Sequence, residues 1–467
     1  MKRVTPRLVA IAATLLVACT DEPANIGLAP PPGPVIETAE VARNPDNVLS
    51  AVVTAHVRNV DSVAVRFGPG PSLESLSPAV VPVGDSAVVL ILGLFPATAY
   101  NLRVVAYRGG ETVLGDVAPF ATDTLPSDLP HYATFGAAPS PGYVVFAAGR
   151  YGVVIDNTGR VVWYHRFPTS PGLNFQPQPT GRYVARPATP DPTDLDPWVE
   201  IDVRGNVTRT FGCARNLIPR FHDLISLPDG SYWVMCDESR LMDLTPYGGV
   251  VNAQVLGTVV QHVSGTGALL FEWSPFDHLA ITDLDSLDRT GVSVNWTHGN
   301  AIDLDTDGNL IVSFRSLSEI TKIDTRTGDV LWRMGGRRNQ FTFDGVSGTA
   351  FMRQHGVRLT GNGRLTLLDN LGDPSGSRAE RYVFDAGTHT ARLIGSYGPS
   401  PSVTAQLGGT TQELPGARTL VAYGNGERVQ EYDQTGLVVW EITGRSGYIF
   451  RAERIRSLYR PGVGDPR

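Results

Sequence analysis

The sequence predicts an all-β protein, a six-bladed β-propeller preceded by a small β-sandwich. Glycine (50 residues) and proline (35 residues) together make up about 18% of the 467 residues, against about 12% on average. Charged residues make up only 18%, whereas about a quarter is usual. Many turn-forming residues and few charges disfavour helical bundles and favour short strands joined by tight turns.

Two recurrent phrases predict the propeller. The first, an acidic residue, a glycine turn, an apolar pair and a tryptophan, occurs at residues 156–163, 324–332 and 433–440. The second, a polar-glycine turn leading into an apolar strand, occurs at 228–235, 306–314, 361–368 and 415–423. Each phrase is typical of a hairpin turn followed by a buried strand. Over residues 131–460, units of about 50 residues give six or seven blades, and six is the number we prefer.

Residues 35–125 predict the sandwich. Short segments of alternating apolar and polar residues, separated by turns, give about seven strands. The stretch LGLFPATAYNLRVVAY resembles the fibronectin type III pattern through Leu94, Pro96 and Tyr100. The resemblance implies a spacer or binding module, and we expect the lone strand histidine, His56, to be structural.

The first 18 residues predict export. Three cations before residue 8 precede the apolar run LVAIAATLLVA, which has the length of a signal-peptide core. The run ends in Leu16-Val17-Ala18-Cys19, which resembles the lipobox of bacterial lipoproteins and implies lipidation of Cys19. Thr20, where an aspartate would favour the inner membrane, implies the outer membrane. The alternative is an ordinary signal peptide with an incidental cysteine. Residues 19–34 are proline-rich and predict a tether.

The net charge of the chain limits the classes of binding partner. A net charge of −7 and a pI near 5.7 give no global basic surface, so a nucleic-acid partner is disfavoured. Membrane contact is expected only through the lipid anchor.

With Cys19 lipidated, two cysteines remain, Cys213 and Cys236. In an exported protein they can form a disulfide. The spacing alone leaves this open.

Three histidines precede the turn glycine of their repeats at nearly the same offset. They are His222, His298 and His355, at 8, 10 and 8 residues. Equivalent positions in successive blades surround the axis of a propeller, so we expect the three imidazoles to converge at one end of the channel. Arg315 ends the strand after His298 and is expected to face the same space. The remaining propeller histidines fall outside the pattern.

The central region resembles a known enzyme family. Segments 271–279, 295–316, 322–336 and 353–359 follow one another in the order and spacing of the bacterial, PAPS-independent arylsulfotransferases, and 221–234 resembles an earlier histidine segment of that family. The resemblance implies a six-bladed propeller that moves a sulfuryl group from an aryl sulfate to a phenol through a sulfated histidine. It implies His355 as the nucleophile, assisted by His222, His298 and Arg315, and no cofactor. The fibronectin-like leading domain and the position of the cysteine pair depart from the better-known members.

These residue types suit sulfuryl transfer. The transition state is expected to be loose, with charge on the equatorial oxygens, so the protein must position groups and stabilise anionic charge. Arginine offers a planar fork of donors that stays charged. A neutral imidazole is a competent nucleophile near pH 7. No G-x-x-x-x-G-K-[ST] phosphate loop occurs in the sequence, in line with a donor that is not a nucleotide.

Two alternatives remain open. Three imidazoles with a water molecule form a common open zinc site, although the neighbouring cation of Arg315 argues against a metal ion. The protein can also be a non-enzymatic, surface-tethered propeller that binds a partner.

Overall fold

The computed structural model describes residues 33–188, 198–361, 363–372 and 376–466. The predicted signal peptide, the lipidation site at Cys19 and nearly all of the predicted tether lie outside this part of the chain. Within it, no helix is long and apolar enough to cross a bilayer.

The leading region is a seven-stranded sandwich. One sheet has the order β1-β2-β5 and the other the order β4-β3-β6-β7. The strands are β1 (Val35–Arg43), β2 (Ala51–Arg58), β3 (Ser62–Pro69), β4 (Ser75–Leu76), β5 (Ser86–Ile91), β6 (Ala99–Arg108) and β7 (Glu111–Ala121). Burial alternates along β2, as expected where one face of an antiparallel strand meets the core.

The tyrosine of the fibronectin-like stretch fixes a corner of this sandwich. The backbone N–H of Phe95 donates to the hydroxyl of Tyr100 at 2.7 Å, and Leu94 is buried beside it in the sandwich core. A tyrosine hydroxyl bonded to backbone a few residues upstream is a recurrent corner of immunoglobulin-like sandwiches. His56 is exposed on β2.

The rest of the described chain folds into six sheets of four or five strands. Their strands are β8 (Thr134–Phe135), β9 (Tyr143–Ala148), β10 (Tyr151–Ile155), β11 (Val161–Arg166), β12 (Phe175–Pro177), β13 (Tyr183–Ala185), β14 (Trp198–Ile201), β15 (Val207–Phe211), β16 (Ile218–Ser226), β17 (Tyr232–Met242), β18 (Ala253–Val263), β19 (Leu269–Trp273), β20 (Ser293–Asn295), β21 (Gly299–Leu304), β22 (Leu310–Phe314), β23 (Glu319–Ile323), β24 (Val330–Gly335), β25 (Thr342–Asp344), β26 (His355–Gly361), β27 (Arg364–Asp369), β28 (Arg378–Asp385), β29 (Thr390–Tyr397), β30 (Thr410–Leu414), β31 (Arg418–Ala422), β32 (Val429–Tyr432), β33 (Val438–Ile442) and β34 (Ala452–Ile455).

Helical segments are short in the described residues. One is an α-helix, α1 (Pro275–His278), and four are 3-10 helices, at Ala214–Asn216, Thr245–Tyr247, Ile281–Asp283 and Leu287–Arg289. The protein is therefore all-β.

The innermost strands of the six sheets are β34, β12, β16, β21, β26 and β30. Five neighbouring pairs of these strands contact each other directly. Between β12 and β16, Asn174 and Gln176 donate to the carbonyls of His222 and Leu224. The inner strands therefore form a closed ring, and the fold is a β-propeller.

Both ends of the propeller chain close this ring. β34, from the C-terminal end, is the innermost strand of the first sheet and pairs with β9. β8, from the N-terminal end, is the outermost strand of the last sheet and pairs with β33. Two exchanged strands leave no gap between the first and last sheets.

The acid-glycine-tryptophan phrase builds the outer hairpins. In the first and last sheets the acid, Asp156 or Asp433, accepts from backbone N–H groups within its own turn. The tryptophan that follows donates to a turn of the next sheet, Trp163 to the carbonyl of Val203 and Trp440 to that of Asn157. These two phrases therefore each close a turn and tie neighbouring sheets together.

Candidate active site

The strand segments that carry the histidines are distorted. In β16 the pairing with β17 shifts between Pro219 and Leu224, so residues 220–223 bulge from the sheet. Similar shifts follow His298 at Gly299 and follow His355 at the start of β26. Bulges re-aim side chains and are frequent beside active sites. His222 lies within β16, His298 lies just before β21, and His355 is the first residue of β26.

The three imidazoles lie together at one end of the ring. The ring centre of His298 is 4.9 Å from that of His222 and 6.4 Å from that of His355. The ring of Phe450 lies against two of these imidazoles, with its centre 5.7 Å from that of His222 and 6.3 Å from that of His355. Phe221 stacks on His222 at 4.1 Å. The result is a row of imidazoles beside an aromatic wall.

His355 is held through its Nδ1 atom. Nδ1 lies 2.9 Å from Oδ1 of Asn370 and 3.1 Å from the backbone carbonyl of Arg353. Both partners are acceptors, so Nδ1 carries the proton and donates to them. In a neutral ring, Nε2 is then left with a free lone pair.

In His222 and His298, by contrast, Nδ1 accepts a hydrogen bond instead of donating one. Nε of Arg220 donates to Nδ1 of His222 at 3.3 Å. The side-chain amide nitrogen of Asn295 lies 2.7 Å from Nδ1 of His298 and can only donate to it. Nδ1 is therefore the acceptor in both rings, and their Nε2 atoms carry protons when the rings are neutral.

Burial keeps all three imidazoles neutral near pH 7. Burial lowers the pKa of His355 to about 4, with the charge of Arg315 acting in the same direction and the hydrogen bond to Asn370 opposing it. Burial also lowers the pKa of His222 and of His298, and the positive charge of Arg220 lowers both further. A neutral nucleophile beside two neutral N–H donors is the arrangement at ordinary pH.

Arg315 lies at the edge of this row. Its backbone N–H donates to the carbonyl of His298, and Nη2 donates to the carbonyl of Gln406 at 3.1 Å. Its Nε is buried and has no acceptor among the described residues. The charge of Arg315 depresses the pKa of both His298 and His355. A guanidinium with an uncommitted donor beside neutral imidazoles is suited to an oxyanion.

Two further arginines belong to the site and were not predicted from the sequence. Arg220 is buried, pairs with Asp237 and lies two residues before His222. Arg353 pairs with Asp288 and lies two residues before His355. The shared Arg-x-His spacing was a readable signal, although only in two of the three histidine segments.

The backbone is strained beside the reacting groups. His298 has φ of 49° and Arg353 has φ of 56°, a left-handed conformation that non-glycine residues adopt at a cost of about 1–3 kcal/mol. Such strain is concentrated at functional sites, where the surrounding structure enforces it.

The other predicted features lie apart from this row. Among the remaining histidines, His262 stacks on Trp233 and His278 stacks on Trp273, in the outer parts of their sheets. Cys213 and Cys236 form a disulfide that spans 23 residues of sequence. In the part of the chain that is described, no group of three or more His, Cys, Asp and Glu residues has the arrangement of a metal site.

Comparison with known proteins identifies the family. The family model described as "Arylsulfotransferase (ASST)" matches residues 207–445. Solved structures of similar fold include a protein of unknown function from Bacteroides caccae, with 14% identity, 68% of this chain and 100% of that chain covered, and a TM-score of 0.44. Another is virginiamycin B lyase from Staphylococcus aureus, with 11% identity, 67% and 89% covered, and a TM-score of 0.35. The chain matches no curated protein in sequence. Since the family model spans more than half of the chain, including the three histidines and Arg315, this protein belongs to the arylsulfotransferase family.

Proposed function

We propose that this protein transfers a sulfuryl group from an aryl sulfate ester to a phenol in two steps, through a covalent intermediate on His355. The observation that carries the proposal is the hydrogen bonding of His355, whose Nδ1 donates to two acceptors and leaves the Nε2 lone pair free. Family membership supports a sulfotransferase in general. The donor class, the intermediate and the independence from a nucleotide are the further steps proposed here.

In the first step, Nε2 of His355 attacks the sulfur atom of the ester. The N–S bond forms as the S–O bond to the aryl group breaks, and the aryl oxygen leaves with the bonding pair as a phenolate. In the second step, the oxygen of an acceptor phenol that has lost its proton to solvent attacks the same sulfur. The N–S bonding pair then returns to Nε2, and the imidazole is regenerated.

The neighbouring groups stabilise the charge of this reaction. His222 and His298 present Nε2–H donors to the sulfate oxygens and to the leaving oxygen, and their lowered pKa values keep them neutral. Arg315 supplies positive charge and the uncommitted Nε–H. Fixed donors in a buried site stabilise developing oxyanions strongly, at about 100- to 1,000-fold in rate for one donor.

The aromatic wall favours aryl groups over alkyl groups. Phe450 is buried and its ring reaches both His222 and His355. Phe221 meets Phe450 edge-on at 6.4 Å. An aromatic ring on the donor or acceptor gains both apolar burial and edge-to-face contact against such a surface.

We also propose that the enzyme works outside the cytoplasm as a lipoprotein of the cell envelope. The proposal is supported by the signal-like segment ending at Cys19 and by the Cys213–Cys236 disulfide, which persists in oxidising compartments. Replacing Cys19 by serine is expected to move the protein from the membrane fraction to the soluble fraction.

The function is tested with 4-nitrophenyl sulfate as donor and phenol as acceptor. The wild-type protein is expected to release 4-nitrophenol and form phenyl sulfate without added nucleotide. With donor alone, the peptide that contains His355 is expected to gain the mass of SO₃. His355→Asn is expected to abolish both results while the circular dichroism spectrum stays unchanged. Full turnover by this variant would remove the mechanism, and no turnover of any aryl sulfate by the wild type would favour a binding role.

A further inference from the structure

We infer that Asn370 is a positioning residue that holds His355 as the Nδ1–H tautomer and so directs the Nε2 lone pair at the sulfur atom. This inference rests on the proposed function for its catalytic consequence, but the tautomer itself is a property of the resting protein.

The amide of Asn370 has one allowed orientation. Its Nδ2 donates to the carbonyls of Ala405 at 2.7 Å and Gly408 at 3.0 Å. An amide nitrogen cannot accept from a donor, and the two carbonyls cannot donate. Rotating the amide by half a turn would place Oδ1 against two carbonyl oxygens. Oδ1 therefore faces His355, at 2.9 Å from Nδ1.

The site is too buried for solvent to replace this contact. Asn370 and His355 have exposed fractions of 0% and 1%. A buried polar atom that loses its partner carries a substantial free-energy cost, so the alternative tautomer, with an unprotonated Nδ1 facing Oδ1 of Asn370 and the Arg353 carbonyl, is disfavoured. Among the described residues, the Arg353 carbonyl and Oδ1 of Asn370 accept at Nδ1, and no donor faces it.

The contact strengthens as the reaction proceeds. When Nε2 bonds to sulfur, Nδ1 keeps its proton and the ring takes on positive charge. The oxygens of Asn370 and Arg353 then accept from a cationic N–H, and hydrogen bonds to charged groups are roughly twice as strong as neutral ones. The charge of Arg315 lowers the pKa of His355, whereas the hydrogen bond to Asn370 raises it, so Asn370 is the neighbour whose side chain favours the charged form.

One loop orients both sides of the site. The carbonyls of Ala405 and Gly408 hold Asn370, and the carbonyl of Gln406, between them, accepts from Arg315. Ser377 ties the loop to Asn370 from below, donating to the Asn370 carbonyl and accepting from the N–H of Ala405. The group that orients the nucleophile and the group that binds the anion therefore share a backbone support.

The test compares Asn370→Leu and Asn370→Asp with the wild type. Asn157→Leu is the matched control, because its Nδ2 also donates to a carbonyl, that of Ser140, and its Oδ1 also accepts from a side chain, that of Arg454, in a different part of the propeller. All variants are checked by circular dichroism and thermal unfolding before kinetics.

Nitrogen NMR of histidine-labelled protein reads the tautomer directly, with the His355 signal assigned by its loss in His355→Asn. We expect wild-type His355 to be protonated at Nδ1 and the Asn370→Leu variant to lose this preference. Protonation at Nε2 in the wild type overturns the inference. This readout needs no turnover, so it decides the inference even if the wild type proves inactive on aryl sulfates and the proposed function fails.

Kinetics supply the second readout. Asn370→Leu is expected to lower kcat by about 10- to 100-fold with little change in KM, whereas Asn157→Leu keeps the wild-type rate. Asn370→Asp places a carboxylate beside Nδ1, which favours the imidazolium. The acid limb of the pH–rate profile, where the rate falls as His355 becomes protonated, therefore moves to higher pH. A purely structural role would not move that limb. Wild-type kcat in Asn370→Leu, or an unmoved acid limb in a folded Asn370→Asp, contradicts the inference.

Discussion

Oδ2 of Asp223 lies 2.9 Å from Nη2 of Arg358, directly beneath His222 in the closed ring of inner strands. Both side chains are almost fully buried, at 0% and 4% exposure. A second buried arginine, Arg451, reaches the other oxygen of Asp223 at 3.2 Å and also donates to the carbonyl of His222. Next to His222 there is therefore a buried charge network, in which the carboxylate of Asp223 forms ion pairs with two guanidinium groups.

Removing that carboxylate is expected to destabilise the fold. Asp223→Asn leaves Arg358 and Arg451 buried without their shared counter-charge, which typically costs about 3–5 kcal/mol. We expect the midpoint of urea unfolding to fall clearly. Asp285→Asn, which removes an exposed ion pair with Arg337, is the control and is expected to change little. Equal midpoints for the two variants would show that the buried network contributes nothing.

Arg315 is expected to act through the geometry of its guanidinium as well as its charge. Arg315→Leu should lower kcat/KM for 4-nitrophenyl sulfate by about 100- to 1,000-fold. Arg315→Lys keeps a charge but not the planar fork, so it should recover only part of the loss. Arg58→Leu, at the exposed end of β2 in the sandwich, is the control for losing one arginine. Full activity in Arg315→Leu would exclude the residue from the reaction.

The parts of the site that could be predicted from the sequence are mainly those in which the same residue type recurs in successive sequence repeats. His222, His298 and His355 occur at recurring offsets from turn glycines, and Arg315 was predicted because it ends the strand after His298. The closed ring of inner strands brings the histidines together because each occupies a similar place in its own sheet. The all-β class followed in the same way from turn spacing. The disulfide was left open by the spacing, and the structure pairs Cys213 with Cys236.

The orienting groups could not be predicted, because they act through backbone or across large sequence separations. Asn370 depends on the carbonyls of Ala405 and Gly408, 35 and 38 residues away, and a carbonyl leaves no mark in a sequence. Arg451 reaches His222 across 229 residues, a contact that exists only because the ring closes.

The disulfide is expected to stabilise the third sheet. Cys213 and Cys236 are separated by 23 residues, and closing a loop of that length stabilises a folded chain by about 3 kcal/mol in the chain-entropy description. Cys213→Ala together with Cys236→Ala should lower the unfolding midpoint, and added dithiothreitol should lower the wild-type midpoint without affecting the double variant. A wild-type midpoint that is insensitive to the reductant would contradict this expectation.

Acidification is expected to destabilise the protein through the buried histidines. The folded pKa values of His222, His298 and His355 are lowered, whereas unfolded histidine titrates near about 6.5. Below that pH the unfolded chain takes up protons that the folded chain does not, so stability falls as the pH falls, by up to about 1.4 kcal/mol per pH unit for each histidine. For His355 the window ends at about pH 4.

Unfolding midpoints measured at several pH values in this window test the effect. His298→Asn should reduce the slope of the unfolding midpoint against pH by the contribution of one histidine. The carboxylates contribute equally to the slope in both proteins. An identical slope in the variant and the wild type would show that His298 titrates alike in the folded and unfolded chains.

The rate of the first half-reaction is expected to keep its acid limb well below the pKa of free imidazole. The nucleophile must be neutral, and burial lowers the pKa of His355 to about 4 with the charge of Arg315 acting in the same direction. The burst of 4-nitrophenol should therefore be constant from neutral pH down to about pH 5 and fall below it. Arg315→Gln removes the charge but keeps a donor, so its acid limb should move to higher pH while its maximal rate drops. The sign follows from electrostatics, since removing a nearby positive charge makes the imidazolium easier to form and demands a higher pH to keep Nε2 free. An acid limb near pH 6.5 in the wild type, or a limb that moves to lower pH in Arg315→Gln, would mean that the group titrating in the rate is not His355.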